Sequence, residues 1–509
     1  MSDNRDLDAT WKYHNGSKHS FLSLRSHPHF LDWDNKPLPF KIYPTLAVTR
    51  LPKDFRQTGV AALSAIASPG VAPPGEAIPS LEAVAQLLFF AAGVTKSKKY
   101  PGAEVFFRAA ACTGALYEIE LYLVCQDLPG LPAGVYHFGA AEFGLRQLRA
   151  GDYRPVLVEA TGADPSVAQA PLIIVCTGTY WRNAWKYRSR TYRHFGWDNG
   201  TILANLTAMS TALGFPEKLI MGFVDQRVDA LLDLDARKEV AFSLVSVGQT
   251  QSVPPPSPGI EPLRLSIVPY SKQEVEYPAM RQMHDASSLA LPEEVAAWRT
   301  AKVLLAPPPA KGRVTDLEPI ADDALPPDSL EQVILRRGST RKFARVAITL
   351  PQLSTLLDRA TRGIRADFLS PAGMQWNDLY LIINSVEGLA PGTYYYQREK
   401  KQLELLKEGD FRRQAGYLGL EQELPADASV GVFFLADLHK IAAACGNRGY
   451  RAVQLEAGLL GGRLYLAAYA QKLGATGLTF YDDDVVSFFS PHAKGKSAVF
   501  LVALGRSAV

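Results

Sequence analysis

At 509 residues and 55.6 kDa the chain exceeds what one hydrophobic core usually organises, so two or more domains are expected. Hydrophobic residues make up 47% and charged residues 21%, which excludes a disordered, collagen-like or coiled-coil protein. Lys plus Arg number 54 against 51 Asp plus Glu, and a formal charge of +3 is too small an excess for a dedicated nucleic-acid binder.

In chain order, residues 1–16 carry no apolar run of the kind a secretory signal needs. Residues 119–125, 171–176 and 241–247 are short β-rich runs bounded by turn residues, and each is expected to be a strand. Such runs are too short to cross a bilayer. Between the second and third, Ile202, Leu203, Leu206, Met209 and Leu213 recur at helical spacing before Gly214, predicting a helix over 201–213. Residues 251–330 hold 14 of the 35 prolines and read as a long extended crossover, with one helix around 292–303. Asp328, Ser329, Leu330 and Glu331 start a further helix, and 455–473 repeats the long helical pattern before Gly474. Long helices among short strands predict a layered α+β fold. Cys112, Cys125, Cys176 and Cys445 form no CxxC pair, so neither a disulfide framework nor a zinc site is expected and a reducing cytoplasm fits.

The two halves repeat each other. Leu121-Tyr122-Leu123 returns as Leu379-Tyr380-Leu381, Gly130 and Gly134 as Gly388 and Gly392, Gly151-Asp152 as Gly409-Asp410, and Arg190, Tyr192 and Arg193 as Arg448, Tyr450 and Arg451, always 258 residues on. Near the ends the offset slips by one, with Gly222 to Asp225 facing Thr479 to Asp482. A register held over more than a hundred residues implies two copies of one domain. The expected division is a leader over 1–78, domains over 79–250 and 328–509, and the crossover over 251–327.

No phosphate loop, HExxH helix or GxSxG elbow occurs. Gly458, Gly461 and Gly462 lie inside a helical pattern and signal helix packing. His27-Pro28-His29 offers two metal ligands without a third, so a turn is favoured and no metal site is expected. Arg336-Arg337-Gly338-Ser339-Thr340-Arg341 puts guanidiniums and a hydroxyl together, which suits either a phosphate or a solvated helix end. Cys112-Thr113-Gly114-Ala115 could let backbone N–H groups approach a flat ligand, or form an ordinary tight turn. Lys186 and Tyr187, beside Arg190, Tyr192 and Arg193, could act as base and proton relay, against a plain helix-surface lysine.

The order of these strings resembles the nitroreductase superfamily of FMN enzymes, and within it the SagB/ThcOx-type dehydrogenases that oxidise azolines to azoles. The resemblance rests on Arg337 to Phe343, Thr113 to Tyr117, Lys186-Tyr187 with Arg190 to Arg193, and the endings at Gly222-Phe223 and Gly477 to Phe480; residues 13–39 look like that family's leader. It implies two α/β sandwich domains forming an intramolecular pseudo-dimer. FMN would sit between them, its phosphate on Arg337, Ser339 and Arg341 with help from Arg506. Thr113, Gly114 and Ala115 would approach the ring from one half, and Gly477, Leu478 and Thr479 from the other. Lys186 and Tyr187 match the family's proton-handling pair. The second composite site looks eroded: Lys41 to Pro44 stand where an Arg run would be, residues 370–376 form a shortened loop, and Ala444-Cys445 face Lys186-Tyr187. One FMN per chain is expected, with a small or peptide-derived substrate and NAD(P)H or dioxygen as redox partner. The rivals are an NAD(P)H-dependent nitro or quinone reductase, a degenerate flavin-binding scaffold, and a leader-peptide-binding partner.

Overall fold

The computed structural model describes residues 3–26, 28–68, 75–100, 103–305, 309–369 and 374–508. His27, Pro307, Pro308 and residues 370–373 of the second-half loop lie outside them. The first half builds a seven-stranded sheet from β1 (Thr49–Arg50), β2 (Ile119–Cys125), β3 (Gly134–Gly139), β4 (Gly144–Ala150), β5 (Leu172–Thr179), β6 (Glu217–Ile220) and β7 (Glu239–Val247). The second half builds another from β8 (Val314–Asp316), β9 (Asn377–Ile383), β10 (Gly392–Gln397), β11 (Gln402–Glu408), β12 (Val430–Ala436), β13 (Gly474–Leu478) and β14 (Ser497–Gly505). The strand orders, β1-β4-β3-β2-β5-β7-β6 and β8-β11-β10-β9-β12-β14-β13, are the same order twice. Every neighbouring pair is antiparallel.

The repeat extends to irregularities. A bulge breaks β3–β4 between Val135 and Tyr136, and its copy breaks β10–β11 between Thr393 and Tyr394. Another breaks β5–β7 after Cys176, and its copy breaks β12–β14 after Phe434. Gly130 and its copy Gly388 both turn the chain at positive φ, 82° and 85°, where a Cβ would be strained. The fold is the predicted α+β duplication. β2, β5 and β7 are buried on both faces, so they read as continuous apolar runs without alternation.

Helices α1 (Tyr180–Tyr187) and α2 (Thr191–Ala212) of the first half correspond to α3 (Leu438–Cys445) and α4 (Asn447–Ala470) of the second. α2 and α4 cross at the centre of the molecule. A Cβ on Gly458 would lie 2.4 Å from the Trp197 carbonyl, and one on Gly200 2.3 Å from the Leu459 nitrogen, so the backbones touch. Both helices begin earlier than their apolar periodicity suggests, because the Arg-x-Tyr-Arg runs form their first turns. These arginines are not free for proton relay. Arg193 Nη1 donates to Asp482 at 2.6 Å and Arg190 Nη1 at 3.0 Å, while Arg451 and Arg448 donate to Asp225 at 2.7 and 2.5 Å. Each half thus supplies the arginines for the other's aspartate. Burial alone would raise these carboxyls, but the paired arginines win, holding Asp225 at about 2 and Asp482 lower still.

The crossover is not merely a linker. It holds two helices, Pro278–Ala286 and Pro292–Arg299, where the sequence suggested one. The first repeats the leader helix Asp8–Gly16: Arg193 bonds Ser17 Oγ at 3.0 Å and the His14 carbonyl at 2.7 Å, as Arg451 bonds Ser287 Oγ at 2.6 Å and the His284 carbonyl at 3.0 Å. Only one alanine, the His and the Ser survive in sequence, which hid the copy.

Candidate functional site

Thr113–Ala115 is a single 3₁₀ turn leading into β2, and Gly114, Ala115 and Tyr117 all have positive φ, between 53° and 63°. That costly backbone is held from α2: Asp198 accepts the Thr113 N–H at 2.9 Å and its hydroxyl at 2.8 Å. Tyr187, at the end of α1, lies against the turn, and a Cβ on Gly114 would meet its hydroxyl at 2.8 Å. The Lys186 ammonium sits 5.3 Å from the Tyr187 ring centroid. Burial, then Arg341 of the second half and Lys36 of the leader, push the Lys186 pKa down. Burial and then the charge of Asp198 push Tyr187 up. The charge of Arg341 thus reaches both Lys186 and Tyr187.

The other arginine of the run points elsewhere. A helix over Leu330–Arg336, started by a Ser329–Gln332 capping box, delivers Arg337 to the first half. Its Nε donates to the Ala109 carbonyl at 2.9 Å and its Nη2 to the Arg108 carbonyl at 3.0 Å. Burial lowers its pKa, and among the described residues no carboxylate pairs with it. Lys96, on the hairpin of Val94–Tyr100 and Ala103–Arg108, lies close enough for Arg337 to lower its pKa too. Ser339 Oγ is 3.3 Å from Tyr465 Oη, and the same hydroxyl accepts the Gly477 N–H, so one tyrosine joins the Arg run to β13. Leu478 is buried, and Thr479 Oγ1 is buried with no hydrogen-bond partner among the described residues. Arg506 touches the run through its backbone, its carbonyl accepting from Ala344 at 3.0 Å, while its side chain is exposed.

Residues 334–506 match the family model described as "Nitroreductase family". This part of the chain is a nitroreductase-family domain. Over 170 residues, 33% of this chain and 81% of the relative, it is 26% identical to the provisionally named nitroreductase MJ1384 of Methanocaldococcus jannaschii. A crystal structure from Anabaena variabilis, provisionally described as a nitroreductase, matches all of this chain and all of its own, with a TM-score of 0.76 at 24% identity. That likeness covers the fold of both halves.

The pseudo-equivalent place on the other side of the nitroreductase-like pair is filled. Gly222 stands where Thr479 stands in the first site, and a Cβ there would meet the Trp298 ring at 3.1 Å. Trp298 comes from the crossover, is 3% exposed, and donates its Nε1–H to the carbonyl of Cys445, the counterpart of Tyr187, at 2.9 Å. Asp367 takes the N–H groups of Met221 and Gly222 at 2.9 and 2.8 Å. Lys41 to Pro44 are not the first-half copy of the Arg run. The helix Ala62–Ala67 pairs with Leu330–Arg336 across an Ala61–Ser329 bridge, so in chain order the counterpart of the Arg run follows residue 67; residues 69–74 lie outside the described residues, and the sequence over 68–75 has no arginine. Lys41 instead donates to buried Glu239 at 2.6 Å.

Lys96, Asp198, Tyr465 and Trp298 escaped the sequence reading because each works across elements far apart in the chain. A cavity of about 530 Å³ between Trp181, Lys238, Glu274 and Arg281 contains none of the predicted residues, and much of its charge is paired, Lys238 with Glu274 at 3.5 Å. The four cysteines are free. Among the described residues no helix is long and apolar enough to cross a membrane.

Proposed function

We propose that this chain is an FMN-dependent oxidoreductase with one flavin site, acting on a small or peptide-derived substrate in the manner of a SagB-type azoline dehydrogenase. The observation that carries the reading is an asymmetry. Among the described residues, one composite place keeps a half-buried arginine without a counter-charge and a threonine hydroxyl without a partner, while its pseudo-equivalent is filled by Trp298 and Asp367. A half-buried cation with no carboxylate suits an anionic group such as a phosphate. FMN, when bound, supplies hydride exchange at its ring.

The residues divide the remaining work. Arg337 and Ser339 would hold the phosphate, with Lys96 as a second cation. Thr113, Gly114 and Ala115 would face the ring from the first half and Gly477, Leu478 and Thr479 from the second. Arg341 would sit nearer the ring than the phosphate, because its charge acts on Lys186 and Tyr187. Lys186, its pKa lowered by partial burial and then by the charges of Arg341 and Lys36, gives up its proton more readily than a free lysine and is suited to take one from the substrate. Tyr187, kept protonated, is suited to donate.

The test is the visible spectrum of the purified protein with released flavin counted per chain. One FMN per chain supports the reading, two would mean that Trp298 does not close the second place, and none after added FMN would leave a scaffold. Bleaching by an azoline peptide, with dioxygen restoring the colour, favours the dehydrogenase. Bleaching by NAD(P)H with turnover of a quinone or nitroaromatic favours the reductase.

A further inference from the structure

Behind the Thr113 turn lies a pair of acids that the function above does not use. Glu118 is fully buried and Asp198 is 4% exposed, and no Lys or Arg pairs with either among the described residues. A carboxyl oxygen of each and Cys112 Sγ lie within 4.8 Å of one another, and Cys112 Sγ bridges the two acids, 3.5 Å from Glu118 Oε2 and 3.3 Å from Asp198 Oδ2. A small pocket bounded by Arg108, Ala110, Cys112, Tyr117, Asp198 and Ile202 adjoins them. Two carboxylates so close and dry cannot both be ionised, so the pair holds one proton. Asp198 accepts both donors of Thr113, which favours its charged form, whereas Glu118 Oε1 has no partner. The proton therefore resides on Glu118.

The duplication supplies an internal control. Glu456 occupies the place of Asp198 on α4 and accepts the N–H groups of Trp376 and Asn377, at the start of β9, at 3.0 Å each. An acid that holds backbone N–H groups before or at the strand is thus common to both copies. The second acid is not, because the counterpart of Glu118 is Trp376. Only the half that carries Tyr187 bears the cost of a buried acid pair, and the Tyr187 hydroxyl rests on the turn this pair holds.

We propose that Asp198 is a positioning residue for the oxidoreductase site, and that Glu118 and Asp198 hold a single proton behind Tyr187, leaving Tyr187 as the donor and Lys186 as the base. The proposal rests on the function given above. Cys112 and Tyr187 face the pair, and Tyr117 and the cation Arg108 line the adjoining pocket.

The experiment uses the full chain as purified. A carboxyl whose folded pKa is raised stabilises fully below its unfolded value, near 4.5, and that contribution is lost as pH rises through the folded value. Glu118→Gln mimics the protonated acid, so its melting temperature should match the parent at about pH 5 and exceed it at pH 8. With FMN bound, Asp198→Asn should keep its flavin content while kcat falls about tenfold or more and KM changes little, and Glu118→Gln should stay within about twofold. Glu456→Gln, which loosens the corresponding hold in the other half, should leave kcat within about twofold as well. The proposal is overturned if Glu118→Gln melts lower at both pH values, if Asp198→Asn and Glu456→Gln affect kcat alike, or if elemental analysis finds one divalent ion per chain in this cluster. Should the chain take no flavin, the proposed function fails, while the melting comparison still decides whether the acids share a proton.

Discussion

Replacing Arg337 with alanine separates a cofactor site from a structural arginine, because the two roles predict opposite patterns. In the folded chain Arg337 makes two bonds to the carbonyls of Arg108 and Ala109 and joins the halves. Losing them costs about 1.5–3 kcal/mol each at most, for bonds from a charged donor. Removing a half-buried cation that has no carboxylate partner among the described residues returns part of its desolvation cost. The two effects oppose, so the flavin-free variant should melt within a few degrees of the parent. Phosphate binding has no such offset. One charge-assisted bond of about 1.5–3 kcal/mol corresponds to about 10- to 150-fold in Kd. Fluorescence titration of the flavin-free protein with FMN should show that loss, and titration with riboflavin, which lacks the phosphate, should not. Arg337→Lys keeps the charge but not the fork and should fall between. If riboflavin and FMN weaken equally, or if the variant melts far lower with FMN affinity intact, the phosphate assignment is wrong.

Other expectations follow from the same contacts. Trp298→Ala should lower stability by about 3–5 kcal/mol, read by denaturant unfolding, yet still yield one flavin per chain, because Asp367 keeps the Met221 and Gly222 amides. Asp225→Asn leaves Arg448 and Arg451 buried without their anion and should cost about 3–5 kcal/mol at pH 7. Asp225 has a folded pKa of about 2, so its contribution is present above about pH 4 and is lost as pH falls towards 2; acid titration of the parent should show this loss, and the variant should not. Gly458→Val should unfold the helix crossing or cost at least about 2 kcal/mol by calorimetry, because its Cβ would enter the Trp197 backbone. With flavin bound, Lys186→Ala should retain the cofactor and lose about 10²- to 10⁴-fold in substrate oxidation, and recovery of full rate would remove Lys186 from the site.

The constant spacing of glycines, tyrosines and arginines was enough to read the duplication, because turns at positive φ and interface ion pairs tolerate few other residues. It also made the Arg337 run, the Thr113 turn and the Lys186–Tyr187 pair visible, since each is a short contiguous string. The leader copy inside the crossover was not visible, because its function is to offer a histidine carbonyl and a serine to the central arginines, and a carbonyl leaves no trace in sequence. The charge of Arg341 on Lys186, that of Arg337 on Lys96, and the closeness of Glu118 to Asp198 link residues tens to hundreds of positions apart. Such neighbours are set by how the two sheets close around the α2–α4 crossing. The sequence determined that there are two copies and which half kept which string; packing alone decided that one pair of strings converges while Trp298 and Asp367 fill the other place.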